Sequence, residues 1–232
     1  MYKIISSPFT LFFPPPFGCF KQAILEGNAK KTERTESFQR RSYNMAMYST
    51  CEVALVSDFL FYSATGQSSV TVTTNTMVSW LSQVTIIYKS TDFTGVGLGI
   101  QLALKQLTIY TDTNNIYAST TTDSSVFLNL VSQGDPQTGN WNNVCAAHVL
   151  THRTFSGGIL GLAWVGSQTA GICSTASGGQ SLNTGISTSQ SFGTDLPVIV
   201  SIITMAHEFG HNFGSLVRRG KGLILCIGLQ AR

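Results

Sequence analysis

Charge is scarce in this chain. Of 232 residues only 11% are Asp, Glu, Lys or Arg, against the roughly one quarter of an ordinary domain. What charge there is divides unevenly. Residues 1–50 carry seven basic and three acidic side chains. Residues 51–215 carry three basic (Lys89, Lys105, Arg153) and eight acidic. Residues 216–232 carry four basic and none acidic. The basic charge is therefore not gathered on the part with folding texture, which argues against nucleic acid as a partner. There is no Cys-x-x-Cys pair among Cys19, Cys51, Cys145, Cys173 and Cys226, so a cysteine zinc site or thioredoxin motif is not expected. No Asn-x-Ser/Thr acceptor occurs, so glycosylation offers no sign of secretion. No apolar run reaches the length of a membrane span, and no internal repeat is visible. Disorder is excluded for most of the chain by its 43% hydrophobic content.

Texture then divides the chain. Residues 1–50 read as a leader or linker, open to disorder: Pro14, Pro15 and Pro16 interrupt the apolar N-terminus, and "GNAKKTERTESFQRRSYN" is polar and aperiodic. Apolar runs begin at Cys51. "CEVALVSDFLFYSA" reads as a strand. Helical spacing is clear from Met77 through Trp80, Leu81, Val84 and Tyr88, after a Thr-rich start with poor helix propensity. "GIQLALKQLTIYTD" alternates as a strand, and Asp123 caps a short helix over "DSSVFLNLVSQ". "VCAAHVLTHRTF" and "GGILGLAWVG" read as further strands, and "SLNTGISTSQSFG" as a strand followed by a loop. A last helix runs to about Phe213, capped by Thr194 or Asp195 with Pro197 in its first turn, and Gly214 stops it. Strands and helices alternate over 51–215, which predicts an α/β or α+β layered domain.

The last helix carries the chemistry. "TMAHEFGHNFGS" contains His207-Glu208-x-x-His211. Residues four apart share a helix face, so His207 and His211 present two imidazoles to one metal ion, Zn²⁺ for this donor type. Glu208 falls beside that ion, placed to take a proton from water and return it to a leaving amine. A polar patch without metal is the plainer alternative, but unpaired polar groups are costly in so apolar a helix. Gly214 stands where the longer pattern His-Glu-x-x-His-x-x-Gly-x-x-His breaks its helix, and Val217 stands where the third His belongs. His148 and His152, upstream, read as structural or solvent-facing.

These residues, with "IYKSTDFTG", "CAAHVLTHRTFSGGILGLAWVG" and "GGQSLNTGIST", resemble successive blocks of the ADAM (adamalysin, or reprolysin) zinc proteases of kuzbanian type. The resemblance covers about residues 51–215. It implies a metzincin-like α/β domain with a mixed sheet and an active-site helix, incomplete in its C-terminal part. It implies His207 and His211 as zinc ligands and Glu208 as catalytic base. Gly161, Leu162, Ala163, Trp164 and Val165 would form an edge strand that pairs with substrate backbone, and Cys51 and Cys145 would form a disulfide. Cys173 would lack its family partner. Substrates would be polypeptides, membrane-protein ectodomains such as Notch in the parent activity, at the cell surface or in the secretory pathway. The likeness ends at one point, after Ser215, rather than fading by scattered changes. The expectation is an ordinary protease domain joined there to an unrelated basic tail, 216–232, by a different exon or an incomplete gene model. The competing reading is a catalytically inactive binding module that engages partners through the edge strand.

Overall fold

A computed structural model describes residues 9–12, 50–91 and 99–215. The expected linker character of the rest of 1–50, the basic tail, Cys19, Cys226 and Val217 lie outside the described residues. One short strand, β1 (Phe9–Phe12), falls in the segment read as linker and pairs antiparallel with residues 106–109.

The domain opens with β2 (Thr50–Ser57). Its side chains alternate: Cys51, Val53 and Leu55 enter one core, Ala54 and Val56 the other, as a strand covered on both faces requires. The strand was expected to continue through "FLFYSA". Instead Asp58 accepts from the Phe61 amide and starts α1 (Phe59–Ser63). An N-cap carboxylate turned the chain before apolar content could extend the strand. Ser69 likewise caps α2 (Val70–Ser90) and carries the helix through the Thr-rich turn, where tertiary packing overrides propensity. Then follow β3 (Gln101–Ile109), α3 (Ser124–Ser132), β4 (Ala146–Thr151), β5 (Gly161–Ala163) and β6 (Thr184–Thr188). Asp123 caps α3 as read, accepting from the Ser125 and Val126 amides. A two-residue hairpin, β7 (Gln190–Ser191) and β8 (Thr194–Asp195), leads into α4 (Val198–Asn212). The expected cap by Thr194 or Asp195 is corrected: both pair with β7, and Pro197 takes the cap position with no side-chain bond.

The main sheet runs β1-β3-β2-β4-β6-β5. β3, β2, β4 and β6 are mutually parallel, and β5 is antiparallel at the edge. The fold is thus mixed α/β, as the resemblance implied. α2 and α4 cover one face around Trp80, Tyr88, Met205 and Phe209. α3 covers the other around Tyr117, Phe127 and Trp141. Cys51 and Cys145 are disulfide-bonded. Cys173, expected to lack a partner, is also disulfide-bonded.

His148 is structural. It is fully buried on β4, its Nε2 lies 2.9 Å from Ser187 Oγ, and its ring packs on Phe209. Burial pushes its pKa down to about 3 from 6.5. Below pH 6.5 the unfolded chain gains a proton that the folded chain refuses until about pH 3. Stability is therefore lost as pH falls through that window, by up to about 1.4 kcal/mol per pH unit. Urea unfolding of wild type and His148→Gln at pH 7, 6, 5 and 4 should show the wild type losing its relative advantage as pH falls. A pH-independent difference would contradict this assignment.

Candidate metal centre

α4 is held where it is by the end that carries its histidines. Its last carbonyls, orphaned in any helix, are all met. Gly214 N and Gly166 N both donate to His211 O, at 2.8 and 2.7 Å, and Ile172 N donates to Asn212 O at 2.9 Å. Gly214 has φ +94, the left-handed turn that closes helices and that glycine adopts freely. The fully buried Asn212 side chain donates to Trp164 O and Thr184 O. The segment after β5 thereby clamps the helix end to β5 and β6. Tyr88 Oη adds a bond from α2 to Ala206 O at 2.8 Å. The sequence signal for Asn212 is a polar side chain in so apolar a helix, and the motif beside it draws the reading to the histidines instead.

Within this clamp His207 Nε2 and His211 Nε2 lie 3.0 Å apart, with their rings at an 87° angle. Two nitrogens about 2.05 Å from a tetrahedral zinc would stand about 3.3 Å apart, so the pair is set within a few tenths of an ångström of that bite. His211 Nδ1 donates to Ser215 O at 2.7 Å. That fixes the proton on Nδ1 and leaves the Nε2 lone pair toward His207, the outer-shell arrangement that orients metal-binding imidazoles. Burial first, and His211 second, hold the His207 pKa below its ordinary value. It stays neutral, the form that binds metal. His207 Nδ1 has no hydrogen-bond partner.

Glu208 is 4% exposed, and its Oε2 has no partner. Burial pushes its pKa up to about 8. Its carboxyl rests against the edge strand: a Cβ at Gly161 would lie 2.6 Å from Glu208 Oε1 and 2.7 Å from Cγ. Any larger residue at 161 would displace the carboxylate. This contact joins two segments named separately from sequence, and nothing local in either foretold it.

The edge strand covers Gly161–Ala163 rather than the expected Gly161–Val165, although Trp164 N still donates to Thr184 O. Leu160 O accepts from Thr188 N, so the even-numbered residues 160 and 164 bond inward. By antiparallel alternation the backbone groups of Gly161 and Ala163 face the free edge. Leu162 and Trp164 pack on the α3 side. Among the described residues no group of three or more His, Cys, Asp or Glu could hold a metal ion. The donor set present fits two positions of a zinc shell.

Sequence comparison supplies the family. Residues 70–217 match the family described as "Metallo-peptidase family M12B Reprolysin-like". The chain belongs to the reprolysin-like M12B metallopeptidases. Disintegrin and metalloproteinase domain-containing protein 10 of Mus musculus and that of Homo sapiens are each 35% identical over 193 residues, covering 78% of this chain and 25% of the relative. The homolog of that protein in Caenorhabditis elegans is 39% identical over 159 residues, covering 58% of this chain and 17% of its own length. The chain thus spans about a quarter of the length of the mammalian relatives. Membership makes this a metal-dependent peptidase domain by family. Among the described residues no helix is long and apolar enough to cross a membrane.

Proposed function

We propose that the domain is built for zinc-dependent cleavage of polypeptide chains, and that this chain, with Val217 at the third-ligand position, holds zinc weakly and cuts poorly. The observation that carries the first half is the pair of Nε2 atoms 3.0 Å apart with Glu208 buried beside them against Gly161. His207 and His211 would hold the ion. When bound, zinc supplies Lewis-acid polarisation of the scissile carbonyl and a lowered pKa for water. The free edge at Gly161 and Ala163 receives extended substrate backbone, a strand-addition mode. Glu208 accepts a proton on its carboxylate and delivers it to the leaving amine nitrogen. Burial raises its pKa; a cation held beside it would lower it again. The second half rests on ligand count. Catalytic zinc is normally held by three protein ligands and water, and the Val217 side chain has no atom that can bind it.

By the kuzbanian-type resemblance, the substrates are ectodomains of membrane proteins, Notch among them. A disulfide-bonded core supports passage through an oxidising compartment, hence the secretory pathway or cell surface. A non-catalytic role, engaging extended partners on β5 without cutting, is favoured by Val217 specifically. The test is cleavage of a quenched fluorescent peptide library with added zinc, comparing wild type with Glu208→Ala. Any cleavage due to this site should fall at least about 100-fold in the variant, the usual contribution of a positioned general base. Cleavage that survives Glu208→Ala would assign it to something else.

A further inference from the structure

Phe192 is the most exposed large apolar side chain described, at 77%. It sits at the tip of the β7–β8 hairpin with φ 49, followed by Gly193 at φ 77. Two successive positive φ angles make the tight hairpin turn that favours Asn-Gly. A bulky aromatic there is strained, and such strain persists where the surroundings hold it and points to use. The ring nevertheless meets the chain at one place. It lies across Gly158, where an added Cβ would come within 2.7 Å of Phe192 Cζ. The hairpin base is fastened by Thr154 Oγ1 to Gln190 Oε1 at 2.9 Å, Gly193 N to Thr154 Oγ1 at 3.0 Å, and Leu196 N to Ser189 O at 2.9 Å. The hairpin that carries the ring is thus held three residues before β5, and Ile159, 41% exposed, lies between them.

We propose that Phe192 and Ile159 form an apolar ledge that seats one apolar side chain of an extended polypeptide paired with β5. This rests on the reading of β5 as the substrate edge. Strands advance about 3.3 Å per residue, so Gly158 lies roughly 10 Å along the edge from Gly161, where Glu208 sits. The ledge therefore selects a residue about three positions from the bond presented to Glu208, on one side only. Residues 156–164 and 190–194 contain no charged side chain, so the selection is for apolar surface and not for an ion pair. A second copy of the chain is the other apolar occupant to be tested.

The experiment titrates the isotopically labelled full chain with ten-residue peptides that carry Leu or Ser at one scanned position, read by amide shifts in NMR. Phe192→Asn is the variant, because Asn suits the turn and the hairpin should fold. Binding should shift the Gly161 and Ala163 amides. At one position, Leu→Ser in the peptide should weaken binding to wild type about tenfold, the effect of burying part of a Leu side chain. The same change should weaken binding to Phe192→Asn less than about twofold. If Gly161 and Ala163 shift but Phe192→Asn keeps the full Leu preference, the ledge is wrong and the edge reading stands. If no peptide shifts those two amides, the edge reading itself is wrong and the ledge falls with it. Shifts at Ile159 and Phe192 that follow protein concentration without peptide would assign the ledge to a second copy and overturn the proposal.

Discussion

Replacing Arg153 by Met should lower the unfolding free energy by about 3–5 kcal/mol, the usual cost of removing one partner from a buried ion pair. Arg153 is 6% exposed, and its Nη2 lies 3.0 Å from Oδ2 of the fully buried Asp58. Its Nε donates to Thr151 Oγ1 at 3.0 Å, its Nη1 to Ser119 O at 2.5 Å and its Nη2 to Tyr117 O at 2.9 Å. The guanidinium also lies 4.0 Å from the centroid of the Phe127 ring. Met preserves most of the volume and none of these bonds. Asp58 would then stand buried with its other oxygen still bound to the Phe61 amide. Burial already pushes its pKa up, and the Arg153 charge is the largest influence opposing that. A domain of ordinary stability has about 5–15 kcal/mol in hand, so the variant should sit near the edge of folding. Lys at 153 keeps the charge and loses the fork, so it should fall between. Chemical denaturation of the three chains checks the order, and a loss below about 1 kcal/mol for Arg153→Met would contradict it.

The Cys51–Cys145 bridge should contribute a comparable amount. Its cysteines are 94 residues apart, and a closed loop of that size restricts the unfolded chain by about 4–5 kcal/mol in the chain-entropy account. In the folded state the bridge adds little new geometry, because Cys145 N already donates to Glu52 O at 2.7 Å and Cys173 N to Cys145 O at 2.7 Å. The stabilisation therefore comes mainly from the unfolded side. Cys51→Ala/Cys145→Ala in oxidised material should lose roughly 4 kcal/mol while keeping the β2–β4 pairing. Non-reducing peptide mapping supplies the other half of the check. A free thiol at Cys51 in protein from an oxidising compartment would contradict the pairing.

Legibility from sequence followed the range of the forces involved. The α3 cap at Asp123 and the shared face of His207 and His211 are local, and they were readable. The start of α1 was not, because Asp58 is committed there by the long-range network with Thr151 and Arg153 as well as by its own cap. Likewise Thr194 and Asp195 look like helix caps alone, but pairing with Gln190 and Ser191 wins. The contact of Glu208 with Gly161 and the clamp on Asn212 join segments 47 and 48 residues apart, where no local period leaves a trace. The disulfide and the edge strand were named through resemblance, which carries tertiary information that composition and spacing do not.

The most direct measurement is the zinc content of the purified chain after dialysis against metal-free buffer, with peptide cleavage recorded on the same sample. Two imidazoles and Val217 predict well under one zinc per chain, about a tenth or less, and no cleavage sensitive to Glu208→Ala. One zinc retained per chain, together with cleavage abolished by Glu208→Ala, would show that a third ligand is supplied after all and that the account of this site is wrong.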